Sequence, residues 1–290
     1  MTTFLDVRLQ AVGGGLATAV GVCQATSLDD YQSLDLDKLS AAIDGQHVLI
    51  ATHGFNVPRA DGIACLSNWE SLLQLPKGSA FVGLLWPGDS VWAHGLDYPE
   101  EPKIADEAGT LIAGFVDANF GNAASVSFSS HSLGARVVLA TIAHMQLPVR
   151  RMVLMAAAID DNCLTTEFKQ AAAKVGTISI LASKEDTVLS EAFPLGNFVA
   201  GIIAEGHPWW RAALGHKGPT RSRPANFLAP YEIPDGWKFK HSNYLQIDPQ
   251  PVPTLPIPTT VPPKGSPEPA DGVKGWQEAF SAAFASTRFR

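Results

Sequence analysis

A chain of 290 residues that is 46% hydrophobic and 17% charged has enough apolar side chains for a sizeable two-faced core, which excludes disorder over most of its length. A formal net charge of −7, with no cluster of Lys and Arg, argues against nucleic acid as a partner. Three cysteines at wide spacing, Cys23, Cys65 and Cys163, make neither a disulfide framework nor a C-x-x-C metal site, and they suit a reducing, cytoplasmic setting.

In chain order, residues 4–11 and 19–25 read as a first, antiparallel pair of strands. The apolar stretch 13–22 between them has no basic segment before it and is read as mature protein rather than a signal peptide. Continuous apolar runs follow at 47–52, 80–86, 125–129, 151–156 and 177–182, the pattern of parallel strands buried on both faces. Helical spacing of apolar residues fills the gaps at 62–75, 103–120, 133–145 and 165–175. The alternation predicts an α/β protein with a mostly parallel sheet covered by helices. A final strand is expected near 237–240, and the Trp-, Phe-, Gly- and Pro-rich stretch 188–229 reads as a cap-like insertion over the site.

Past residue 248 the composition changes abruptly to a proline-rich tether at 249–272. A last stretch, 273–290, spaces Trp276, Phe280, Phe284 and Phe289 as in a helix able to dock on the domain or join two copies. The expected division is therefore a catalytic domain over 1–248, a linker and a terminal helix. No apolar run reaches the roughly 18 residues needed to cross a bilayer, so stable membrane insertion is not expected.

Polar residues gather at the carboxyl ends of the predicted strands, where ligands bind in open α/β sheets. Ser130-His131-Ser132-Leu133-Gly134 joins an apolar strand to a helix, the strand, sharp turn, helix context of the G-x-S-x-G nucleophile elbow, with Ser130 where the first Gly usually stands. Ser132 is the candidate nucleophile. His53-Gly54-Phe55-Asn56 follows an upstream strand, where the second oxyanion-hole donor belongs; the backbone N–H groups of Phe55 and Leu133 are the candidates. For His53 itself a buried ring bonded to backbone is the preferred reading.

A carboxylate after a later strand is needed to hold the catalytic imidazole, and Asp186 is preferred, with Asp160 and Asp161 as alternatives. The order Ser, acid, His then selects among His207, His216 and His241, and the preference goes to His241 because it follows the predicted last strand. Trp86, Trp92, Trp209 and Trp210, with Phe193 and Phe198, are candidates for an apolar substrate pocket, against the plainer alternative of packing.

With these residues in hand, the sequence resembles the α/β-hydrolase superfamily, and within it bacterial hydrolases of poorly assigned function with H-G-F-N and W-P-[GS] signatures. The likeness covers roughly 47–245 and is carried by residues 53–56, 81–90, 129–134, 155–161 and 241–244. It implies an eight-stranded, mostly parallel sheet, an esterase- or lipase-like reaction on a small acyl ester, and no metal or organic cofactor. Amide and thioester cleavage by the same residues stay open, as does a catalytically silent module that recruits partners.

Overall fold

The computed structural model describes residues 1–9, 15–73, 75–88, 101–192, 212–219, 222–228, 231–233, 235 and 239–244. The proline-rich stretch 249–272 and the segment 273–290 lie outside these residues, as do Trp92, Phe193, Phe198, His207, Trp209 and Trp210.

The described strands are β1 (Thr2–Arg8), β2 (Leu16–Ala25), β3 (Gln32–Ser33), β4 (His47–Thr52), β5 (Ser79–Leu85), β6 (Ser125–His131), β7 (Val149–Met155), β8 (Val175–Ala182) and β9 (Tyr231–Glu232). They form one sheet in the order β3-β2-β1-β5-β4-β6-β7-β8-β9, antiparallel at β2 and parallel from β1 to β9. A mostly parallel sheet flanked by helices fits the expected α/β-hydrolase fold, and the two-residue β3 lies at its edge. The central strands are apolar on both faces because helices cover both; Val48, Leu49, Ile50 and Ala51 are wholly buried.

The helices are α1 (Leu36–Ile43), α2 (Arg59–Leu72), α3 (Glu101–Asn119), α4 (Gly134–His144), α5 (Lys169–Ala173) and α6 (Leu214–Lys217). The crossover β4-α2-β5 runs toward one edge, whereas β5-α3-β6, β6-α4-β7 and β7-α5-β8 run toward the other. Right-handed crossovers therefore put α2 on one face and α3, α4 and α5 on the opposite one. The direction reverses between β4 and β6, so the loops at the carboxyl ends of these neighbouring strands flank the crevice where open α/β sheets bind ligands.

Two expectations are corrected. The stretch 165–175 is not one helix: a 3₁₀ turn at Cys163–Thr165 precedes the short α5. Among the described residues the last strand is Tyr231–Glu232, and of the expected strand at 237–240 Phe239 and Lys240 are in irregular backbone while Trp237 and Lys238 lie outside the described residues. Within the expected insertion, Asn226 and Leu228 bond the backbone of Ile178 on β8, so this part of the chain runs along the sheet edge. Among the described residues no helix is long and apolar enough to cross a membrane.

Candidate active site

Ser132 follows β6 directly and has φ +53°, a left-handed conformation that a residue with a side chain adopts only when its surroundings hold it there. The surroundings are specific. Its backbone N–H donates to the Met155 carbonyl (3.0 Å), and its own carbonyl accepts from Ala135 (3.1 Å) and Ala158 (3.2 Å), so the neighbouring strand β7 and the first turn of α4 both grip the residue. Gly134 is required for close approach: a Cβ there would lie 2.3 Å from the His53 carbonyl oxygen. Ser130, in the place of the usual first Gly, fits fully buried between Thr52 of β4 and Leu154 of β7.

Asp186 follows β8 in a turn closed by its N–H on the Ser183 carbonyl (3.3 Å). Its side chain is completely buried. One carboxylate oxygen, Oδ1, accepts the backbone N–H of Leu189 (3.0 Å). The other, Oδ2, lies 2.8 Å from Nδ1 of His241, whose Nε2 is 2.9 Å from Oγ of Ser132. A carboxylate only accepts hydrogen bonds, so Nδ1 carries the imidazole proton and Nε2 is left with a lone pair facing the serine hydroxyl. Three residues separated by up to 109 positions thus form one hydrogen-bonded line.

His241 begins a 3₁₀ turn, His241–Asn243, on a short irregular segment. Two side chains from strand ends tie that segment to the sheet: Ser183 Oγ donates to the Phe239 carbonyl (2.6 Å), and His131 Nε2 donates to the carbonyl of His241 itself (2.8 Å). Tyr244, wholly buried, meets Phe239 edge-to-face with ring centres 4.7 Å apart. The His131 ring stands 4.8 Å from that of His241, and burial together with that neighbour pushes the His131 pKa down to about 3, so His131 stays neutral. His131 and Ser183 were not singled out in the sequence; the elbow motif treats the residue before the nucleophile as free, and the position of His131 between two serines was the available signal.

The loop after β4 lies against the nucleophile. A Cβ on Gly54 would sit 2.7 Å from Cβ of Ser132 and 3.1 Å from Nδ1 of His131, so only Gly admits this approach. Phe55 is the residue after Gly54, and Leu133 is the residue after Ser132. His53 is fully buried, with Nδ1 donating to the Gly54 carbonyl (2.9 Å), and burial pushes its pKa down to about 3. The Trp86 ring stacks on it at 6.0 Å, and the indole N–H donates to the His53 carbonyl (3.0 Å). Trp86 has no exposed surface, so its ring packs within the core beside the site.

Asp160 and Asp161 lie on the loop after β7. Asp160 bridges Ala213, and Asp161 donates its N–H to the Ala212 carbonyl (2.9 Å), while the imidazole of His241 is bonded to Asp186. His216 lies on α6, with Nδ1 donating to the Ser183 carbonyl (3.2 Å). Among the described residues no group of three His, Cys, Asp or Glu side chains is arranged to hold a metal ion.

Residues 32–205 match the family model described as "Alpha/beta hydrolase of unknown function (DUF900)". No curated protein matches the chain. Among solved structures it is similar to MenH from S. aureus (11% identity, 70% of this chain and 88% of that one, TM-score 0.33). It is similar also to the butyrate-bound form of Est2, a thermophilic esterase from the Planctomycetes species Thermogutta terrifontis (9%, 81% and 84%, TM-score 0.37). A third is the hyperthermophilic esterase of the archaeon Pyrobaculum calidifontis (10%, 77% and 73%, TM-score 0.36). At these identities and TM-scores the chemistry has to be argued from the chain's own residues.

Proposed function

The chain belongs to the alpha/beta hydrolases of unknown function that the family model defines, and on that footing we propose that it is a serine hydrolase that cleaves carboxylic esters through an acyl-enzyme. The observation that carries the proposal is the hydrogen-bonded line Ser132 Oγ, His241 Nε2, His241 Nδ1, Asp186 Oδ2, with steps of 2.9 and 2.8 Å at the carboxyl ends of the strands.

In this reading His241 Nε2 takes the proton of Ser132 as Oγ attacks the acyl carbon, and Asp186 favours the imidazolium that forms. The N–H groups of Phe55 and Leu133 receive the oxyanion; loss of one such donor lowers the rate by about 10²–10³. His241 then returns the proton to the leaving alcohol, and a water activated by the same imidazole releases the acid. The neutral state of His131 suits this cycle, because a charged ring 4.8 Å away would oppose the imidazolium. The proposal extends to a cytoplasmic setting, in keeping with three cysteines that are free and buried.

Intact mass after fluorophosphonate treatment tests the class. Wild type should gain one adduct that Ser132→Ala does not, and should turn over p-nitrophenyl esters of graded chain length, with amide and thioester analogues run beside them to set the bond preference. Folded wild type that takes no adduct would overturn the serine-hydrolase reading.

A further inference from the structure

A group of three charged side chains and a tyrosine lies under the loop that carries Phe55, outside the line of Ser132, His241 and Asp186. It comprises Asp6 and Arg8 of β1, Tyr31 just before β3, and Arg59, the first residue of α2. Asp6 and Arg8 are both buried. The Asp6 carboxylate is fully engaged: Oδ1 accepts the N–H of Arg8 (2.9 Å), and Oδ2 accepts from the Tyr31 hydroxyl (3.0 Å) and from Arg59 Nη2 (2.5 Å). Arg59 also stands over the Tyr31 ring at 5.2 Å.

The guanidinium of Arg8 is used differently. Its Nη1 donates to two main-chain carbonyls, Val57 (3.0 Å) and Trp86 (2.9 Å). Val57 lies two residues after Phe55, and Trp86 is the residue that follows β5. Between them Asn56, at φ +56°, donates its N–H to the Gly88 carbonyl (2.6 Å). The Phe55 peptide is thus spanned on one side by the pairing of His53 with Trp86 and on the other by Arg8. Arg8 is close enough to this loop to add to burial in lowering the His53 pKa.

We propose that Arg8 is a positioning residue for the oxyanion hole: it fixes the Phe55 peptide by joining the Val57 carbonyl to the Trp86 carbonyl. The inference rests on the serine-hydrolase reading above. A backbone donor held in place beforehand costs no rearrangement when the intermediate forms. Such a residue supports the charged tetrahedral state more than the neutral ester.

The test compares full-length wild type with Arg8→Met and Arg8→Lys on a p-nitrophenyl ester, together with inhibition by an alkyl boronic acid. The boronic acid forms a B–O bond to Ser132 Oγ, the serine proton passes to His241, and the product is a tetrahedral boronate anion. Arg8→Met should lower kcat by about 10- to 100-fold while KM stays within about threefold, and should raise the boronate Ki by the factor lost in kcat. Arg8→Lys, which keeps a donor able to reach a carbonyl, should recover part of both. Arg8→Met with a lowered Tm but wild-type kcat and boronate Ki would reduce Arg8 to a structural tie and overturn the proposal. If Arg8→Met does not fold, Arg8→Gln and Arg8→Lys make the same comparison. Wild type that takes no fluorophosphonate adduct would instead remove the serine-hydrolase reading and this inference with it.

Discussion

Asp186→Asn offers the sharpest separation of the candidate acids, because the structure dictates how the new amide must sit. Oδ1 of Asp186 accepts the Leu189 N–H at 3.0 Å, so the amide oxygen of Asn has to stay on that side. The NH₂ group is then turned toward Nδ1 of His241, at the present 2.8 Å contact. Nδ1 must become the acceptor, and the imidazole proton moves to Nε2, where it faces the Ser132 hydroxyl and cannot take its proton. In serine proteases the same exchange leaves the geometry intact and lowers kcat by about 10⁴, equivalent to about 5 kcal/mol in the barrier. The expectation here is a fall of that size in kcat on the best p-nitrophenyl ester, with an unchanged fold by circular dichroism. A loss of less than about tenfold, joined to a large loss in Asp160→Asn or Asp161→Asn, would refute the assignment of the acid.

His131→Ala, which removes the tie to the His241 carbonyl, should lower kcat by about 10-fold or more and abolish the low-field proton resonance of the bond from His241 to Asp186; His131→Gln, able to donate from a similar position, should keep both. Gly54→Ala places a methyl group 2.7 Å from Cβ of Ser132, so the fluorophosphonate labelling rate should fall by about 100-fold and stability by about 1–3 kcal/mol in urea titration. His53 and His131 are held near pKa 3 in the folded chain against about 6.5 when unfolded, so below pH 6.5 the unfolded chain binds protons that the folded chain refuses. Stability present above pH 6.5 should therefore be lost as the pH falls toward 3, by about 1.4 kcal/mol per pH unit for each histidine. Urea titrations at pH 7, 6 and 5 check the slope, and His53→Gln should flatten it.

The sheet was legible because its central strands are continuous apolar runs that nothing interrupts; residues 47–52 were predicted as a strand, and β4 has those limits. Where local chemistry competes with periodicity, the reading failed. Thr165 and Thr166 both turn their hydroxyls onto the Asn162 carbonyl, which holds a 3₁₀ turn where the apolar spacing suggested helix. Trp-Lys-Phe-Lys at 237–240 alternates as a strand would, but Phe239 buries itself against Tyr244 and gives its carbonyl to Ser183 instead of a ladder. The two-residue β9 stands between Pro230 and Pro234, a pattern that reads as loop. The short β3 and α1 carried too few residues to register.

At the site, Ser132, Asp186 and His241 were readable as candidates because each follows a strand or its expected place, in the chain order of this fold. The side chains that hold them were not. His131, Ser183 and Arg8 act through main-chain carbonyls at sequence distances of 110, 56 and up to 78 residues, and no local pattern reports a partner of that kind. Arg8 in particular reads as an ordinary polar residue within the first expected strand, until β1 is seen beside β5.

The grip of β7 on Ser132 bears on how the site fails under stress. The N–H of Ser132 and the N–H of Ala158 are both spent on bonds between the elbow and the strand next to it. Releasing the nucleophile from its left-handed backbone means parting β6 from β7 in the middle of the sheet, which is not a local fluctuation. Amide hydrogens at these two positions should exchange with solvent only through global unfolding. Catalytic competence and the folded state should then disappear together on heating, with no window in which an intact protein carries a slackened serine.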